Sequence, residues 1–160
     1  MADFQNVIDK FAYTSNTTAA DWGDLTNTQG SGAGQSSSTD GYCSGGDRGG
    51  FSTTAVIEKF SFSSSSGSAT HGNLSVARYG VQGQSSTDYG FSSGGGDAVT
   101  DVIDKFAFSS NTTASDHGDL AIVTTQAAGI SATDYGYSAG GYTSSEVNTI
   151  NKFAYSSNTT

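Results

Sequence analysis

Val102-Ile103-Asp104-Lys105-Phe106-Ala107-Phe108 is a run in which Ile103, Lys105 and Ala107 point one way and Val102, Asp104, Phe106 and Phe108 the other. Its period of two, with β-branched and aromatic side chains, predicts a strand of about seven residues, within the ~3–10 usual for strands. The phrase recurs as Val7-Ile8-Asp9-Lys10-Phe11, Val56-Ile57-Glu58-Lys59-Phe60 and Thr149-Ile150-Asn151-Lys152-Phe153, with the lysines 49, 46 and 47 residues apart. A period in that range marks a repeat architecture, whose units cannot bury their apolar faces alone. Function is therefore expected in a surface that several units build together, rather than in one catalytic motif.

The spacings inside the repeat separate packed structure from loop. From each lysine to Gly23, Gly72 and Gly118 is 13 residues, and from there to Gly41, Gly90 and Gly136 is 18, in all three copies. The latter open the phrases Gly41-Tyr42-Cys43-Ser44-Gly45-Gly46, Gly90-Phe91-Ser92-Ser93-Gly94-Gly95 and Gly136-Tyr137-Ser138-Ala139-Gly140-Gly141. Only the return to the next lysine varies, over 13, 10 and 11 residues, so segments 47–55, 96–101 and 142–148 read as surface loops. After the Val102 strand, Ser109-Ser110-Asn111-Thr112-Thr113 has turn chemistry. A second strand is expected near Leu120–Thr125, a weak third around Gln126–Ser131, and the Gly-aromatic phrase forms a fourth, closed by its glycines. The expected fold is all-β: propeller-like repeats of about 47 residues, each of four short antiparallel strands. The units are 7–55, 56–101, 102–148 and a partial 149–160, in one repeat domain over 1–160.

Composition bears on the class. No proline, 22 glycines and 34% hydrophobic residues bring the chain near the disordered range, but nine Phe, eight Tyr and one Trp recur at fixed repeat positions and supply a face to bury. A net charge of −9 with six basic residues leaves no electropositive footprint, which argues against nucleic acid or an anionic membrane as partner. No secretory signal is visible at the start, and no apolar run is long enough for a membrane span. The single cysteine, Cys43, shares its slot with Ser92 and Ser138 and reads as a small strand residue, which fits assembly in a cytoplasm.

The Gly-Gly pair, the variable loop, the aromatic strand and the polar return together resemble the kelch type of β-propeller repeat. The pairing of Ile-Asp-Lys-Phe with Gly-Asp-Leu and Ser-Ser-Thr-x-Gly-Tyr-x-x-Gly-Gly is also similar to repeat proteins of marine and cyanobacterial phages. That resemblance covers nearly the whole chain and implies a virion or tail-associated protein, made in the host cytoplasm. The usual kelch tryptophan is absent; Trp22 stands at the slot of His71 and His117. Read in the order third, fourth, first, second strand, the chain holds three units and one extra third strand. Three blades do not close a ring, since propellers use ~4–8. The chain is thus expected to be a piece of a longer protein, or chains complete one another: two copies closing six blades with strands 150–156 redundant, or a filament built by strand addition.

Candidate sites receive the same reading. His71 and His117 are one position in successive units and lie a unit apart, so no four-ligand metal set converges on them. Asp24, Asp119, Asp88 and Asp134 recur beside glycines; calcium is a candidate ligand, although turn bonding accounts for them without it. Ser86-Thr87-Asp88-Tyr89-Gly90 resembles part of the aspartate box of sialidase-like propellers, where the box is structural. No paired carboxylates, nucleophile elbow or metal cluster points to catalysis, and no cofactor is expected. Candidate binding-loop residues are Asp47, Arg48, Phe51, Asp97 and Tyr142. Asn16, Asn73, Asn111 and Asn158 lie in sequons and are glycan acceptors if the chain is extracellular, turn formers otherwise. Tyr89 and Tyr135 are sugar-stacking platforms or inter-unit core. The expected function is a non-enzymatic structural and binding protein of a phage particle, whose partners are itself or other virion proteins through strand edges, or a cell-surface glycan or receptor. The alternative is a subunit of an extracellular or surface filament.

Overall fold

The computed structural model describes residues 4–50, 52–96 and 99–157, and among these there is no helix. Among the described residues, thirteen strands form four antiparallel sheets. The first is a pair, β1 (Gln5–Lys10) and β2 (Ala20–Gln29). The second has four strands in chain order: β3 (Ala33–Ser36), β4 (Asp40–Ser44), β5 (Val56–Ser61) and β6 (Ala69–Asn73). The third repeats this with β7 (Gln82–Ser85), β8 (Tyr89–Ser93), β9 (Val102–Ala107) and β10 (Ser115–Asp119). The last has three: β11 (Ala128–Ser131), β12 (Tyr135–Ala139) and β13 (Ile150–Ala154).

The second strand of the third unit lies earlier than its β-branched content predicts. Leu120–Thr125 is a connection, and β10 is the polar run Ser115–Asp119. Tertiary bonds override propensity here: the Leu120 side chain drops into the core while its N–H donates to the Asp101 carbonyl, and Ile122 and Val123 stay exposed. Both faces of β9 are packed: Phe106 enters the core shared with the second sheet while Ile103, buried as fully, lies in the core shared with the last.

The sheets stack through their first strands. A Cβ on Gly83 would collide with the Gly34 carbonyl oxygen, and one on Gly129 with that of Gly83, so β3, β7 and β11 approach as closely as backbones can. The glycine of the Gly-Asn-Leu phrase has a similar reason. Gly72 follows a register shift in β6, and a side chain there would strike the Thr112 carbonyl of the next sheet. Gly94 and Gly95 end β8 with φ of +62° and +90°, a left-handed turn that suits residues without Cβ.

Candidate functional site: sheet junctions and their two open ends

The junctions between the second and third sheets and between the third and last are each a cup on one sheet filled by an aromatic pair from the next. Tyr42, Ile57 and Leu74 of the second sheet receive Phe106 and Phe108 from the third. Tyr42 stacks on Phe108 with centroids 4.6 Å apart and meets the edge of His71 at 5.0 Å. One sheet on, Phe91, Ile103 and Leu120 receive Phe153 and Tyr155, with the same 4.6 Å stacking and 5.0 Å edge contact to His117. The ring from each fourth strand then ties the two sheets together. His71 Nε2 lies 2.8 Å from the Ala107 carbonyl and His117 Nε2 2.8 Å from that of Ala154, so this nitrogen carries the proton in both rings. Trp22 does the same work in the first sheet, its Nε1–H donating to the Ser61 carbonyl at 2.9 Å. The shared slot of Trp22, His71 and His117 thus holds a flat ring whose N–H donates to a carbonyl of the next sheet.

The acid of the repeated phrase, or Asn151 in its place, holds the preceding sheet's chain just past Leu25, Leu74 and Leu120. Glu58 accepts the Thr26 N–H and hydroxyl, both at 2.7 Å, and the Ser68 hydroxyl. Asp104 accepts the Ser75 N–H at 3.1 Å and pairs with Arg78 at 3.0 Å, both side chains being buried. Burial pushes the Arg78 guanidinium below its usual range, against the Asp104 charge. Asn151 accepts the Ile122 N–H and donates to the Ile122 carbonyl. Nearer the first strands, a glutamine bridges sheets: Gln35 donates to the Phe91 carbonyl and to the hydroxyls of Ser44 and Ser92, and Gln84 to the Tyr137 carbonyl and the Ser93 hydroxyl. These glutamines and Arg78 were not among the sequence candidates. The recurrence Gly34-Gln35-Ser36, Gly83-Gln84-Ser85, Gly129-Ile130-Ser131 carried the signal for the first two.

The same parts are left open at the two ends of the stack. Ile57 and Ile103 are 0% and 1% exposed, whereas Ile150, at the same repeat position on β13, is 71% exposed. Phe106 and Phe153 are nearly inaccessible, whereas their counterpart Phe11 is 63% exposed and the adjacent Tyr13 97%. Around Phe11 and Tyr13 a pocket of about 300 Å³ is lined by Asp9, Lys10, Trp22 and Phe62 as well. In the other junctions that place is filled by Tyr42 or Phe91. Here the Lys10 ammonium leans in, 3.6 Å from the Trp22 ring centre.

A larger cleft, about 850 Å³, opens where the first strands end, lined by Gly34–Ser38, Gly83, Ser85–Thr87, Gly129 and Ser131–Thr133. Its hydroxyls partly satisfy the neighbouring backbones, Ser85 accepting the Ser36 N–H and Ser131 that of Ser85. The variable loops lie at the other end of the strands. They are stitched down: Asp47 exchanges two hydrogen bonds with Gly30, Gly96 donates to Tyr79, and Tyr142 exchanges two with Thr125. Asp47 and Arg48 are consequently half-buried, and Tyr142 is exposed. Phe51 and Asp97 lie outside the described residues, as does Asn158. Asn16, Asn73 and Asn111 are exposed.

Tyr89 and Tyr135 each carry a lysine ammonium over the ring, Lys105 at 4.1 Å and Lys152 at 3.8 Å, so that face is not a free platform. Asp40, in the first unit, instead pairs with Lys59 at 3.2 Å. Burial and the carboxylates of Asp101 and Asp116 raise Asp119 above the usual carboxylate range. No group of three or more His, Cys, Asp or Glu that could hold a metal occurs among the described residues. No protein-family model matches the chain, and no curated protein matches it.

Proposed function

We propose that this chain is a non-enzymatic structural and binding protein, a set of kelch-like propeller blades that assembles with further copies of its own repeat. The observation that carries this reading is the contrast between the junctions: the parts that bury Ile57, Ile103, Phe106 and Phe153 stand open at Ile150, Phe11 and Tyr13. Each open end matches the other, one offering the aromatic pair and the other the aliphatic wall. The residue types that most invite a catalytic or metal reading serve the fold, Glu58 and Asp104 holding connections and the histidines bridging sheets. Resemblance of the repeated phrases to phage proteins supports a place in a virion, with the loops around Tyr142 facing a receptor, glycan or neighbouring virion protein.

Sedimentation velocity over a concentration series tests the assembly. Discrete, concentration-dependent oligomers are expected above the 16.3 kDa chain. A monomer at every concentration overturns the reading, and long fibres seen by electron microscopy would replace the virion module with a filament subunit.

A further inference from the structure

We infer that a second copy of this chain completes the first sheet by strand exchange, its β11–β12 hairpin pairing with β1 in place of its own β13. This rests on the assembly reading above and specifies the partner and register.

Three observations carry it. First, the stretch of β13 that pairs with β12, Ile150-Asn151-Lys152-Phe153-Ala154, is matched by Ile8-Asp9-Lys10-Phe11-Ala12, which begins in β1 and differs only in having Asp9 for Asn151; beyond it, 13–18 and 155–160 differ only where Thr14 faces Ser156. The edge of β12 that binds β13 therefore accepts β1, and β1 brings β2 with it, giving a sheet of four strands where the described residues of the last sheet form three. Second, exchange sets Tyr137 where Tyr42 and Phe91 sit in the other sheets, in the pocket between Trp22 and Phe62. The partner's cup around Phe91 then takes Phe11 and Tyr13 as it takes Phe153 and Tyr155 within one chain. Third, the inner contact is chemically matched. Gln35 meets Ser92 in one junction, and Gln84 binds the carbonyl of Tyr137 beside Ser138 in the next. The remaining pair, brought together only by exchange, is Ile130 against Cys43, the two slots at which the repeat turns apolar. Ile130 is 50% exposed in the single chain.

Reciprocal exchange between two copies yields six four-stranded blades, within the ~4–8 of closed propellers, whereas three copies would give nine. For the 160-residue chain, the exchange thus specifies a two-fold dimer.

The test is an Ile130→Cys variant of the full chain, oxidised with diamide, which takes two electrons and two protons as the introduced thiol and Cys43 join. The third sheet separates these positions within one chain, so a covalent dimer on a non-reducing gel is expected. Trp22, the only tryptophan, gives a second readout without substitution. Its emission should move to the blue with concentration, in step with sedimentation, and Tyr137→Ser should weaken association at least tenfold. Oligomers that form no such covalent dimer and leave Trp22 emission unmoved overturn the exchange while the assembly reading stands. A chain that stays monomeric overturns both.

Discussion

Gly41, Gly90 and Gly136 lie under the rings of Phe60, Phe106 and Phe153 one strand over, and a Cβ at any of them would overlap the ring. The invariant spacing of these glycines within the repeat thus reports a packing contact, not a turn. Phe106 is 2% exposed and has no room to yield. Gly90→Ala is expected to lower stability by about 1–3 kcal/mol, the usual cost of overfilling a packed core. Gly34→Ala, compared at a concentration where the chain is monomeric, is the control: nothing lies within 4 Å of a Cβ there in the single chain. Urea unfolding of the two variants should show a midpoint shift for the first several times that of the second.

The connection leaving a strand matters as much as the strand. Between β6 and β7, Arg78 reaches under the sheet to Asp104 on β9 and to the Ser92 carbonyl on β8, with both charges out of water. Removing one partner strands the other charge, so Arg78→Ala is expected to cost about 3–5 kcal/mol. The chain already holds an uncharged answer at the same place, where Asn151 holds Ile122 and Thr124 stands at the repeat position of Arg78. The double variant Arg78→Gln, Asp104→Asn should therefore recover most of the loss, measured as a coupling in a denaturation cycle. If it is no more stable than Arg78→Ala alone, the pair is more than a buried charge and its neutraliser.

Across the molecule, burial acts on the junctions through pH as well. Burial raises the pKa of Tyr42 and Tyr155, one at each junction, against the opposing pull of the Lys59 charge on Tyr42, and it raises the Cys43 thiol. The protonated form is favoured in the folded state in each case. These groups' contribution is therefore present in full below their unfolded values, ~8.5 for the thiol and ~10 for the phenols, and is lost as pH rises through the higher folded values. Unfolding midpoints followed from pH 8 to 11 should fall in the alkaline range, and Cys43→Ser should remove the earlier part of that fall. The repeated phrase was enough to establish β-strands, the period, and the positions that must be glycine or aromatic, because side-chain alternation and close approach leave a mark at every copy. It misplaced β10, since the polar run Ser115–Asp119 pairs with β9 through backbone bonds that carry no hydrophobic signal. It also left the histidines and acids without a role, since a hydrogen bond to a carbonyl in the next sheet depends on which sheets stack. Tertiary structure alone decided which copies of the phrase are buried and which stand open, because that depends on neighbours rather than on the residues, which at Phe11 and Phe153 are the same.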